Sequence, residues 1–187
     1  MYPNFGALVL LRSRNDDSGL RDSKFVSRLA VRLGTYLVYA TIGTIFAVFI
    51  WGAYLAGSGY GAACGLGGQG ISSDSWPYCN GSLNFPSNWP AQVEYVHRAL
   101  SVVATILLVW SNLTVWRMDP RPKAAAHALL VALVLLFVEL CLGAVAIRAS
   151  LDVVIGTISL ATATSVFGVL VLAGDRMYLY EKQFRKR

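Results

Sequence analysis

Four stretches of the chain are apolar for long enough to cross a lipid bilayer, and polar segments separate them. A span needs about 20 mostly apolar residues. The pattern predicts spans at about 33–56, 91–116, 124–147 and 153–173, with a long loop at 57–90 between the first two. The expectation is one all-α domain, a transmembrane four-helix bundle over 33–173, with a polar lead at 1–32 and a tail at 174–187. Within the lead, Asn15-Asp16-Asp17-Ser18-Gly19 reads as a turn. Gly43 lies among small residues of the first span, where a neighbouring helix can approach closely. Trp51 and Tyr54, near the end of that span, fit an interfacial aromatic belt. Asp119-Pro120-Arg121-Pro122 breaks the second helix and forces a reversal.

Composition agrees with this pattern. Of 187 residues 56% are hydrophobic and 14% charged, and the mean hydropathy is +0.54, which excludes an ordinary soluble domain. The net charge of +6 invites a nucleic-acid partner, but the placement of the basic residues argues for none. Fourteen of the sixteen Lys and Arg lie before the first span, between the second and third, or after the fourth. By the positive-inside bias both termini are then cytoplasmic, and the loops at 57–90 and 149–152 face outward. The basic termini suit anionic membrane lipid. No apolar core in the lead is long enough for a cleavable signal peptide.

The chemistry gathers at the head of the second span, in Glu94-Tyr95-Val96-His97-Arg98. An ionisable residue at membrane depth is expensive and therefore functional by default. Glu94, His97, Ser101, Thr105 and Asn112 recur at steps of three, four and seven, which puts them on one helix face turned to the bundle interior. His97 lies roughly 9 Å below the outer end at 1.5 Å per residue. Glu139 and Gly143 share a face of the third span, whereas Cys141 points the other way and reads as a packing residue. His127 lies near the opposite membrane surface, too far from His97 to share a metal. In the fourth span Ser159 is level with His97, and its neighbours Thr157, Thr162, Thr164 and Ser165 either return hydrogen bonds to their own helix or line a pocket. On an oxidising face, Cys64 and Cys79 suit a disulfide better than a metal site, because their loop holds no His or third Cys. His97 itself fits a haem-iron ligand, a proton relay or a histidine satisfied by a neighbouring helix. As a ligand it would hold the iron, with Arg98 on a propionate and Glu94 one turn outward, where a carboxyl can exchange protons with bound water.

These residues resemble a known family. Glu94-Tyr95-Val96-His97-Arg98 is similar to the Glu-x-x-His-Arg of the haem A synthases, Trp76-Pro77-Tyr78-Cys79-Asn80-Gly81 to their Trp-Pro-x-Cys-x-Gly, and Gly57-Ser58-Gly59 to their Gly-Ser-Gly. Leu142-Gly143-Ala144-Val145 adds a weaker match. The chain resembles the amino-terminal, catalytic half of those two-part proteins. The resemblance implies a multi-pass protein of a prokaryotic cell membrane that oxidises the C8 methyl of haem O to the formyl group of haem A. It further implies that His97 ligates the substrate haem, that Glu94 is required for the oxidation, and that Cys64 and Cys79 are bridged. In the family the second half supplies a haem B. A half-length form would replace it by self-association, most simply as a dimer, and would work beside a haem O synthase and a terminal oxidase. Ser159 occupies the place of the family's second histidine, so a sixth iron ligand would come from elsewhere, such as His97 of another subunit. Tyr54 and Ala56 replace an Arg and a Thr of the family pattern, and the two cysteines are farther apart than is usual. The alternative function is a haem-B-binding electron carrier that converts nothing. A thiol-disulfide enzyme is disfavoured, because the outer loop lacks a Cys-x-x-Cys pair.

Overall fold

The computed structural model describes the backbone of residues 5–64, 79, 83–148 and 153–186, and the side chains of 26–64, 79, 83–146 and 153–186. Trp76, Pro77, Tyr78, Asn80 and Gly81 of the loop motif, and the 149–152 loop, lie outside the described residues. Four helices make up the fold: α1 (Phe5–Ser58), α2 (Trp89–Trp116), α3 (Lys123–Arg148) and α4 (Val153–Arg185). Each contains a segment long and apolar enough to cross a membrane. The chain is an all-helical, multi-pass membrane protein.

The helix limits follow local chemistry. Asn88 caps α2, its Oδ1 accepting the Ala91 N–H at 2.9 Å, and Pro90 stands in the first turn where no amide is needed. At the other end Pro120 and Pro122 separate α2 from α3, as the sequence predicts. The turn expected at Asn15 to Gly19 is not formed, because α1 runs unbroken through it. No proline interrupts 4–76, and Arg12 with Asp16, and Asp17 with Arg21, stand at the four-residue spacing of opposite charges that supports a helix. Likewise α4 continues past the expected end of its span to Arg185, where Arg185 pairs with Glu181 one turn back at 2.6 Å.

Among the described residues each helix packs on its chain neighbours and α4 returns to α1, so the four form a ring with α1 opposite α3 and α2 opposite α4. The end that carries residues 57–88 is called the loop end below, and the end that carries 117–122 the basic end. The buried core lies in the basic-end half: Val38, Leu108, Val115, Leu129, Leu170 and Met177 are fully enclosed there. Lipid tails remove the hydrophobic drive between helices, so close fit and interhelical hydrogen bonds hold this half together. Thr41 and Ser111 join α1 to α2 at 2.8 Å, and Asn112 Nδ2 donates to Leu129 O of α3 at 3.1 Å. Gly43, expected at a close approach, has open space where a Cβ would stand. The close approach of α1 to α4 is at Gly174 instead, where a Cβ would lie 2.7 Å from Ile42 Cδ1.

The loop-end half is thinly buried on its α3 and α4 side, whereas Leu55, Ala91 and Val93 are enclosed where α1 meets α2. Among the described residues α3 has no buried side chain beyond Leu136, and α4 has none before Val166. Substitutions should reveal this asymmetry. Leu108→Ala and Leu129→Ala are expected to lower stability by about 2–4 kcal/mol each, the usual cost of a core cavity. Leu160→Ala, on a side chain 54% exposed, should stay within about 0.5 kcal/mol. Unfolding in mixed micelles measures both, and equal losses would contradict a core confined to the basic end.

Candidate functional site

The chain leaves α1 through Gly57-Ser58-Gly59. Gly59 has φ +73°, the left-handed conformation that ends a helix, and the Tyr60 N–H reaches back to Leu55 O at 3.1 Å. A tight turn follows, with the Ala63 N–H on Tyr60 O at 3.1 Å, and it delivers Cys64 over the start of α2. There Cys64 is bridged to Cys79, with Cα atoms 4.4 Å apart, and the two sulfurs pack with Ala91 under Ala63 and Tyr95. The loop is held to α2 from the other side as well. Tyr95 donates to Leu83 O at 2.9 Å, Gln92 donates to Pro86 O at 2.9 Å, and Phe85 stands edge-on to Tyr95.

Glu94 lies under this cover, 3% exposed. Its Oε2 accepts the Cys64 backbone N–H at 2.7 Å, and its Oε1 forms an ion pair with Arg98 one turn along α2. Both carboxylate oxygens are thus engaged, which a buried carboxylate requires. The structure directs Arg98 at Glu94, an engagement the sequence did not foresee.

His97 follows one turn deeper. Its ring lies against α1 at Gly52, where a Cβ would stand 3.1 Å from the imidazole Cε1 and 3.7 Å from Nδ1. Any side chain at Gly52 would press on the ring. Nδ1 is buried and, among the described residues, has no hydrogen-bond partner. A polar atom left so in a membrane interior calls for a ligand or a water. Trp51, expected in an interfacial belt, instead turns its Nε1–H onto Val93 O at 2.8 Å and fixes α1 to α2 beside Glu94. Tyr54 is exposed, as a belt residue would be.

The remaining predicted residues separate into two groups. Ser101 and Thr105 bond back to their own helix, on His97 O at 2.9 Å and Ser101 O at 2.8 Å. Thr157, Thr162, Thr164 and Ser165 do the same on α4. Ser159 is different: its hydroxyl and Glu139 Oε1 of α3 meet at 2.5 Å, while Glu139 Oε2 is buried without a partner. Glu139 and Ser159 therefore form one polar pair of α3 and α4 in the loop-end half. Among the described residues no hydrogen bond or ion pair joins it to the Glu94 group. Cys141 is exposed, pointing away from Glu139 as its spacing requires but packing against no core. His127 is near Trp116 at the basic end, far from His97 in the chain's span. Sequence reasoning missed Gly52 and Trp51 as parts of the site; the only signal for Gly52 was a small residue near the end of α1.

The comparisons with known proteins converge on one family. The chain is 33% identical over 112 residues to the haem A synthase of Staphylococcus epidermidis, which covers 59% of this chain and 34% of that protein. It is 27% identical over 158 residues to the haem A synthase of Staphylococcus aureus, covering 80% of this chain and 49% of that protein. It is 29% identical over 111 residues to that of Bacillus licheniformis, covering 59% and 33%. The chain spans about a third to a half of the length of these curated relatives. No solved structure matches. The family model for the cytochrome oxidase assembly proteins matches residues 5–171, most of the chain. On that match, and on the Glu94 and Cys64 contacts that unite its motifs, the chain belongs to the COX15-CtaA, or haem A synthase, family.

Proposed function

We propose that this chain is a membrane oxidoreductase of haem A synthesis, oxidising the C8 methyl of haem O to a formyl group. The observation that carries the reading is the clamped carboxylate of Glu94 one helical turn from a buried imidazole whose Nδ1 has no partner among the described residues. Turning a methyl into a formyl group replaces two hydrogens by one oxygen; with water as the oxygen source it releases protons and electrons, the electrons passing to an acceptor outside this chain. Glu94 is the group of the site suited to take up a proton, and the Cys64 amide with Arg98 sets where it does so.

The residues fit a haem. His97 would ligate the iron of the substrate, and a single imidazole suits a metal that brings its own equatorial ligands. The iron supplies the redox chemistry when bound. Gly52 gives the ring its place against α1. Arg98 would reach a propionate from its place beside Glu94, and Ser101, Glu139 and Ser159 would line the loop-end half. We further propose that the loop end faces outward with both termini cytoplasmic, on the charge distribution. A second copy of the chain, as a dimer, would supply the place for the haem B that the family resemblance implies, and a haem O synthase and a terminal oxidase are the proposed neighbours in the pathway.

Expression in cells that make haem O, followed by extraction and mass analysis of the bound porphyrin, tests the activity. The wild-type chain should yield haem A or a hydroxylated haem O. Glu94→Ala should keep haem O bound and lower product by about 100-fold or more, the scale of a lost acid-base group. Haem B alone in both proteins would instead identify an electron carrier.

The disulfide gives a second test. Cys64→Ser with Cys79→Ser leaves the basic-end core untouched but frees the amide that holds Glu94. Product formation should then fall by about 10- to 100-fold, the cost of a misplaced catalytic group, while bound haem stays within about two-fold of the wild type on the same reasoning. Unchanged turnover in this double variant would show that the loop does not position the carboxylate.

A further inference from the structure

A crevice of about 370 Å³ opens between α1 and α4 at the basic end, far from Glu94 and His97. Three arginines line it, Arg28 and Arg32 from successive turns of α1 and Arg185 from α4, together with Glu181. Glu181 is paired with Arg185 at 2.6 Å, so one cation and the one acid neutralise each other. Neither Arg28 nor Arg32 belongs to an ion pair among the described residues, although Arg32 interacts with the Tyr36 hydroxyl and, at longer range, with Glu181. The crevice therefore keeps an excess of positive charge, carried by two guanidinium groups one helical turn apart.

Its other walls are apolar: Leu29 and Phe184 stand beside the charged groups, and Leu29 is 57% exposed. α1 and α4 are membrane-crossing helices, and this end is where each emerges from its apolar segment. A free anion has no use for apolar walls, whereas an amphiphile with a phosphate head and acyl tails matches both parts. Basic pockets between membrane helices take lipid headgroups for this reason. Arginine is also the side chain best suited to phosphate, through its planar set of donors.

We infer that this crevice binds the headgroup phosphate of an anionic phospholipid, with Arg28 and Arg32 as the donors and Glu181 as the acid that keeps Arg185 out of the contact. The site lies apart from the residues assigned to haem chemistry and stands whether or not that assignment does.

The test uses the full chain purified in neutral detergent, with phosphatidylglycerol and phosphatidylcholine of the same acyl chains as probes, read by native mass spectrometry. Phosphatidylglycerol should be retained about ten-fold or more over phosphatidylcholine. Arg28→Gln with Arg32→Gln should abolish that preference, and Arg117→Gln, at the same end but outside the crevice, should not. Glu181→Gln should strengthen retention by releasing Arg185, which keeps the test decisive should the double variant fold poorly. Inorganic phosphate added at the lipid's concentration should not compete. Equal retention of the two lipids, a preference that survives the double variant or is lost equally in Arg117→Gln, retention unchanged or weakened in Glu181→Gln, or competition by inorganic phosphate would each overturn the inference.

Discussion

A carboxylate buried in a membrane protein has to be held by donors, and the placement of Glu94 between the Cys64 amide and Arg98 is the constraint on which the loop end depends. Arg98 is on the same helix and arrives with it. The Cys64 amide is 30 residues away in sequence and has to be brought. Gly59 ends α1, the turn over 60–64 points the chain back, and the bridge to Cys79 stops it from leaving. The disulfide is thus more than a staple on a polar loop: through one backbone N–H it reaches the charged group of the site.

The two halves of the bundle answer different demands. At the basic end small residues and enclosed aliphatic side chains give the close fit that replaces the hydrophobic effect within lipid, with Asn112 and the Thr41–Ser111 pair bonding across helices. At the loop end the large apolar side chains of α3 and α4, such as Phe137, Leu140, Ile158 and Leu160, are exposed, and Glu139 and Ser159 pair between the two helices. Among the described residues His97 Nδ1 and Glu139 Oε2 have no hydrogen-bond partner there, and Asn112 Oδ1 has none at the basic end. Polar groups with nothing to bond are costly, and a fold tolerates them where something else is to be bound.

Much of this was legible in the sequence. The four spans, the inward stripe of α2 and the outward Cys141 follow from periodicity alone, because a helix in lipid has to satisfy its own backbone and its faces then follow the count of residues. The bridge of Cys64 to Cys79 was readable from their common loop. Asn15 to Gly19 was misread because turn-forming residues also occur in helices when charges four apart support them. Gly43 was misjudged against Gly52 and Gly174 because a small residue marks a close approach only when a neighbour faces it, and which neighbour does so is a property of tertiary packing. The hydrogen bonds from Cys64 to Glu94, from Trp51 to Val93 and between Ser159 and Glu139 join distant segments and leave no periodic trace.

The central claim is that His97, set against Gly52 and one turn below Glu94, is this chain's own ligand for a haem iron. The most direct measurement is a titration of haem O into the purified protein, followed by its Soret band and by the iron-histidine stretch in resonance Raman spectra. The account predicts saturable binding with a histidine-iron stretch that vanishes in His97→Ala and persists in His127→Ala. Binding with an unchanged stretch in His97→Ala, or a wild-type protein that takes up no haem O, would contradict it.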